Sequence, residues 1–202
     1  MSKRKPLVIE FTGTPEAGKT TTISILEKVL EISGYSVKVV KESAENLPTN
    51  IPKGTWYSHS WMLSSAMSYL IESYFCDADI ILVDRGYIDT YFFNLSLYHR
   101  HKCTDIQYEI INKYLGLYNF LMPDCAIFFK VSPIESISRR GGEGKLVTND
   151  FISNYNLLLD DFVTNIKIPY TLIDTTHLSI DSCVSQCKDF ILKYYIWLKS
   201  KS

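Results

Sequence analysis

Eight residues near the start of the chain carry a chemistry of their own. Gly13-Thr14-Pro15-Glu16-Ala17-Gly18-Lys19-Thr20 follows the pattern G-x-x-x-x-G-K-[ST]. Glycines at those places let the backbone wrap closely around a phosphate, with successive N–H groups and a helix start facing the negative charge. Lys19 can reach β and γ phosphates, and the Thr20 hydroxyl can ligate Mg²⁺, with Thr21 continuing the same turn. The ligand implied is a purine nucleoside triphosphate, ATP before GTP.

A second centre follows the run Ile80-Ile81-Leu82-Val83 and begins at Asp84. An apolar strand that ends in a carboxylate places it beside the phosphate loop, because ligands gather at the C-terminal ends of parallel strands. Asp84 there can hold Mg²⁺ directly or through water. Arg85 can make bidentate contacts to phosphate or carboxylate. A third cationic group, Arg139-Arg140, precedes Gly141-Gly142-Glu143-Gly144-Lys145, and glycines beside arginines suit a mobile lid over residues 139–149.

These residues need a scaffold, and the hydrophobic pattern supplies one. Leu7 to Phe11, Ser36 to Val40, Asp79 to Val83, Asp124 to Val131 and Tyr170 to Asp174 read as short buried strands. Helical spacing fills the intervals: from Lys19 to a stop at Gly34, over 56–76, 88–100, 104–121, 133–140, 150–166 and 180–198. Lys41 to Thr55 reads as a loop, rich in Asn, Pro and Gly. Strand and helix alternate five times. That predicts a three-layer α/β/α domain with a five-stranded parallel sheet, in one unit over 1–202.

Composition narrows the setting. The chain has 202 residues and a net charge of −1. That balance disfavours attachment to nucleic acid or to an anionic membrane by bulk charge. No apolar run reaches the ~18 residues of a membrane span. The basic start, Met1 to Pro6, runs straight into a strand. Five cysteines, an odd number with no C-x-x-C, suit a reducing compartment, so a cytoplasmic location is expected. The 14 tyrosines are an excess that suits a thick core or an aromatic-lined pocket. The four histidines show no metal-ligand spacing on a common face.

Other phosphate-loop classes fit poorly. No N-K-x-D base-reading motif is present, since Asn112-Lys113 continues as Tyr114-Leu115. The chain resembles the thymidylate kinase and deoxynucleoside kinase branch of phosphate-loop kinases. Four matches carry the resemblance in order: Ile9-Glu10-Phe11 leading into Gly13 to Thr22, Lys41-Glu42-Ser43, Asp84-Arg85-Gly86 with Asp89, and the lid Arg139 to Lys145. Ile173-Asp174-Thr175-Thr176 resembles the last strand and adenine-side loop of those proteins. The resemblance implies that Glu42 is a general base or orients the acceptor. It implies that Arg85 binds acceptor or transferring phosphates, and that Arg139 and Arg140 close over them. A homodimer is also expected by resemblance. The aromatic residues Tyr57, Trp61, Tyr69, Tyr74, Tyr87, Tyr91, Phe92 and Phe93 are then expected to line the acceptor pocket.

The chain departs from that pattern in three places. No proline follows Glu42, Glu16 stands inside the phosphate loop, and Gly86 replaces a larger residue, which is expected to leave space in the acceptor site. Glu42-Ser43-Ala44 is also similar to the glutamate loop of nicotinamide riboside kinase-type proteins. The expected activity is Mg-ATP-dependent transfer of a γ-phosphate to a nucleoside or nucleoside monophosphate. A kinase of a non-nucleotide metabolite or antibiotic, and a regulatory ATPase, stand as alternatives on the same residues.

Overall fold

The computed structural model describes residues 6–201, so the basic residues at the start lie outside it. Five strands form one sheet: β1 (Leu7–Gly13), β2 (Val37–Val40), β3 (Ile80–Asp84), β4 (Cys125–Lys130) and β5 (Tyr170–Asp174). All pair in parallel, in the order β2-β3-β1-β4-β5. Seven α-helices connect them: α1 (Lys19–Ile32), α2 (Trp56–Tyr74), α3 (Tyr87–His99), α4 (Asp105–Gly116), α5 (Pro133–Arg140), α6 (Asn149–Asn165) and α7 (Ile180–Lys201).

The three layers follow from side-chain alternation along the strands. Leu7, Ile9 and Phe11 of β1 face α1 and α7, packing with Ile23, Leu26, Leu30, Cys187 and Ile191. Ile81 and Val83 of β3 face α2 and α4 on the other side, against Leu63, Met67 and Ile111. Ala126 and Phe128 of β4 face α3 and α6, against Phe92, Tyr155 and Leu159. Burial on both faces is why the central strands read as continuous apolar runs.

The helix ends are set by local chemistry. Thr55 and Thr104 accept from the backbone N–H three residues on and form capping boxes with Ser58 and Gln107. Ser132 caps α5, whose first position is Pro133. The loop expected over 41–55 contains one 3-10 turn at Ser43–Asn46. The helix expected over 104–121 stops at Gly116, and a second short turn, Asn119–Leu121, leads into β4. No helix among the described residues is long and apolar enough to cross a membrane. All five cysteines are free.

Candidate active site

The strand order puts β1 between β3 and β4, so the chain leaves the sheet centre in both directions from the same place. The phosphate loop grows from the end of β1, and Asp84 ends the neighbouring β3, paired with Phe11. Gly13 has a φ of +123°, and a Cβ there would lie 2.0 Å from the Phe129 carbonyl oxygen. Only glycine permits that close approach of β1 to β4.

The loop is held by contacts within the chain. Lys19 Nζ donates to the carbonyls of Gly13 (3.2 Å) and Thr14 (2.8 Å). Burial, with the Arg85 charge nearby, lowers the Lys19 pKa to about 7. Two successive residues of α6 brace the loop from outside. Tyr155 donates its hydroxyl to the Gly13 carbonyl (3.1 Å), and Asn156 Oδ1 accepts from the Thr14 hydroxyl (2.6 Å).

The Thr20 hydroxyl donates to Asp84 Oδ2 at 2.5 Å, which brings the two expected metal ligands together. Asp84 Oδ1 is buried with no partner. Burial raises the Asp84 pKa above the ordinary carboxylate value. Among the described residues no cluster of three or more acidic, His or Cys side chains could cage a metal alone. A hydroxyl and a carboxylate with one unused oxygen fit Mg²⁺, which usually completes its shell with phosphate oxygens and water.

Arg85 adopts a left-handed φ of 60° at the junction of β3 and α3. That conformation is uncommon for a non-glycine residue. Its Nη1 donates to Asp89 Oδ1 (2.9 Å), and its Nε lies 3.1 Å from Glu42 Oε1. The second contact is ionic only, because Nε is not aligned for a hydrogen bond. Burial works against the guanidinium charge, and Asp89 and Glu42 outweigh it, raising the pKa further. Burial also raises the Glu42 pKa, against the opposing pull of Arg85.

Two cavities meet at this pair. One, of about 470 Å³, is lined by the phosphate loop from Pro15 to Thr21 together with Glu42, Arg85 and Arg139. The other, of about 270 Å³, lies between α2, α3 and the lid, with Met62, His59, Phe93, Val147 and Phe151 among its walls. Pro15, Glu42 and Arg85 line both.

The lid arginines separate. Arg139 reaches the phosphate cavity, with its donors on Glu135, Thr175 and the Glu16 carbonyl. Arg140 turns to the Glu16 carboxylate at 3.2 Å and does not line that cavity. Both belong to the end of α5, and the segment after them places Leu146 and Val147 over the acceptor side.

Two expectations are corrected. Gly86 does not widen the acceptor cavity: a Cβ there would lie 2.7 Å from Val83 and 3.0 Å from Glu10. The glycine is needed because Glu10, facing α3 from the middle of β1, accepts the N–H groups of Gly86, Ile88 and Asp89. Of the eight aromatic residues expected around the acceptor, only Phe93 lines its cavity. Tyr87 bonds Leu115 and Asn119, Phe92 packs on Tyr155, and Tyr57 is exposed.

Several site residues went unassigned in the sequence. Glu10 had a signal, a carboxylate inside an apolar strand. Asp89 had a weaker one, its place after Asp84-Arg85-Gly86; in the structure it accepts from the Thr12 hydroxyl and from Arg85. Tyr155 and Asn156 had none, being 142 residues away from the loop they brace.

The sheet order and the loop that leaves its central strand make a three-layer α/β/α fold with a glycine-rich loop before its first helix. No protein-family model matches the sequence, and no curated protein is significantly similar to it. Among solved structures, a deoxyadenosine kinase from M. mycoides, with dCMP and a flexible dCDP bound, shares the fold. The TM-score is 0.72 over 93% of this chain and 100% of that one, at 21% identity.

Proposed function

We propose that the protein is a Mg-ATP-dependent kinase that moves a γ-phosphoryl group to the hydroxyl of a small acceptor, a nucleoside in the first place. One observation carries this reading: Glu42 and Arg85 stand where a phosphate cavity and an acceptor cavity meet. A donor on one side and an acceptor on the other would face each other across these two side chains.

The roles follow from charge and reach. The loop amides and Lys19 would bind the β and γ phosphates. Thr20 and Asp84 would hold Mg²⁺, which neutralises charge on the phosphates when bound. Glu42 would accept the proton of the acceptor hydroxyl. Burial raises its pKa, which makes the carboxylate a stronger base. Arg85 and Arg139 would face the transferring oxygens, where fixed cations act by stabilising developing charge.

Arg85 is already paired with two carboxylates. That arrangement supports a neutral hydroxyl acceptor over a monophosphate, whose charge would compete with Glu42 and Asp89 for the same guanidinium. A cytoplasmic setting, with ATP at hand and reduced thiols, belongs to the same reading.

ADP formation should be followed with MgATP and a panel of nucleosides, nucleoside monophosphates and non-nucleotide alcohols. Acceptor-dependent turnover with a nucleoside is the expected result. Slow hydrolysis that no acceptor accelerates would refute the kinase reading.

A further inference from the structure

Buried polar atoms are nearly always paired, so one left unpaired points to a use. Among the described residues, three such atoms belong to the site: Asp84 Oδ1, Arg85 Nε and His59 Nε2. The first has the metal to serve, and the second faces Glu42. His59 has no part in phosphoryl transfer.

His59 lies on α2 at the wall of the acceptor cavity, 2% exposed. Its ring centroid is 5.3 Å from that of Phe93, at 41°. Burial lowers its pKa to about 4, with the Asp89 charge opposing, so the imidazole is neutral at pH 7. A neutral imidazole has one donor nitrogen and one acceptor nitrogen. Leu47, Met62 and Phe93 line the same cavity and offer nothing polar to a ring lying along them. The polar atoms of such a ring must therefore be met at its edge.

We propose that His59 selects the acceptor, hydrogen-bonding through Nε2 to the polar edge of a nucleobase held beside Phe93. The acceptors are then nucleosides, told apart by the base. This deepens the kinase reading and rests on it.

The test compares the wild type with His59→Leu and His59→Gln. kcat and KM are measured for deoxyadenosine, deoxyguanosine, deoxycytidine, thymidine and a base-free deoxyribose. The wild type should prefer one base and should use the base-free sugar poorly. His59→Leu should lower kcat/KM for the favoured nucleoside by about 10- to 100-fold, mainly through KM, and level the differences among bases. His59→Gln, which keeps a donor and an acceptor, should retain part of the preference. A purely structural role would lower all acceptors together and leave the ratios unchanged, and that result overturns the inference.

A substrate-side deletion covers the case in which His59→Leu does not fold. On the wild type, the favoured nucleoside stripped of its base-edge polar group should lose a similar factor; an unchanged kcat/KM overturns the inference. The two readings fail separately. If nucleosides are phosphorylated but the ratios survive in His59→Leu, only the role of His59 falls. If no nucleoside is turned over or raises Tm, the kinase reading falls and takes this one with it.

Discussion

Replacing Asp84 by Asn should make the protein more stable and nearly inactive. Asp84 is buried, with Oδ2 on the Thr20 hydroxyl and Oδ1 on nothing. Its pKa is raised by burial. A carboxyl with a raised folded pKa binds its proton more tightly in the native state. Its stabilising contribution is therefore complete at low pH and lost as the pH rises through the folded pKa. At pH 7 the ionised side chain costs stability, and Asn mimics the protonated form at the same size. Relieving about 1 kcal/mol of the cost of burying that charge would raise Tm by roughly 2–4 °C in a domain of this size. Turnover should move the other way, falling about 100- to 1,000-fold with loss of a charge aimed at the metal and phosphates. Thermal melts of both proteins, with and without MgATP, together with ADP formation, decide the matter. MgATP should raise Tm of the wild type more than that of Asp84→Asn. A variant that is destabilised, or that keeps Mg-dependent turnover, would refute the assignment of Asp84.

Glu42→Gln should lower kcat by about 100-fold or more with ATP binding little changed, as befits loss of a general base; near-normal kcat in a coupled assay counts against it. Glu10 is fully buried, and burial raises its pKa from 4.5 to about 7. At about 1.4 kcal/mol per unit, that shift corresponds to roughly 3 kcal/mol. Relative to Glu10→Gln, wild-type stability should fall by that order between about pH 4.5 and pH 7, as urea melts across pH will show; a flat difference contradicts it. Asn156→Ala should loosen the phosphate loop and weaken ATP binding several-fold, since the Thr14 hydroxyl loses its partner; calorimetric titration with MgATP tests this. Tyr74, Phe75, Leu117 and Phe120 are exposed around α2 and the end of α4, and light scattering should report a dimer; a monomer at micromolar concentration argues against one.

The elements legible in the sequence were those built from neighbours in the chain. The phosphate loop is one continuous turn between a strand and a helix, so Gly13 to Thr21 announced themselves by local spacing. The apolar runs of β1, β3 and β4 and the helical periods between them implied a parallel sheet with both faces covered. Asp84 and Arg85 drew notice because they are charges at the end of an apolar run, and the structure places them at the end of β3.

What the tertiary structure decided is which distant residues share a place. The order β2-β3-β1-β4-β5 brings Thr20 to Asp84 and Asp89 to Thr12. Glu42 comes to Arg85 by a loop with no regular pattern. The aromatic residues showed the limit of composition: most of the tyrosines and phenylalanines expected around the acceptor pack elsewhere. His59, Phe151 and Tyr155 reach the cavity from helices whose sequences show an apolar face but not its neighbour. Periodicity tells that a helix has a buried side; only packing tells whether that side meets core or cavity. Within the fold, Glu10 sits in β1 because its carboxyl oxygens accept the first N–H groups of α3, a relation made across the sheet and invisible along the chain.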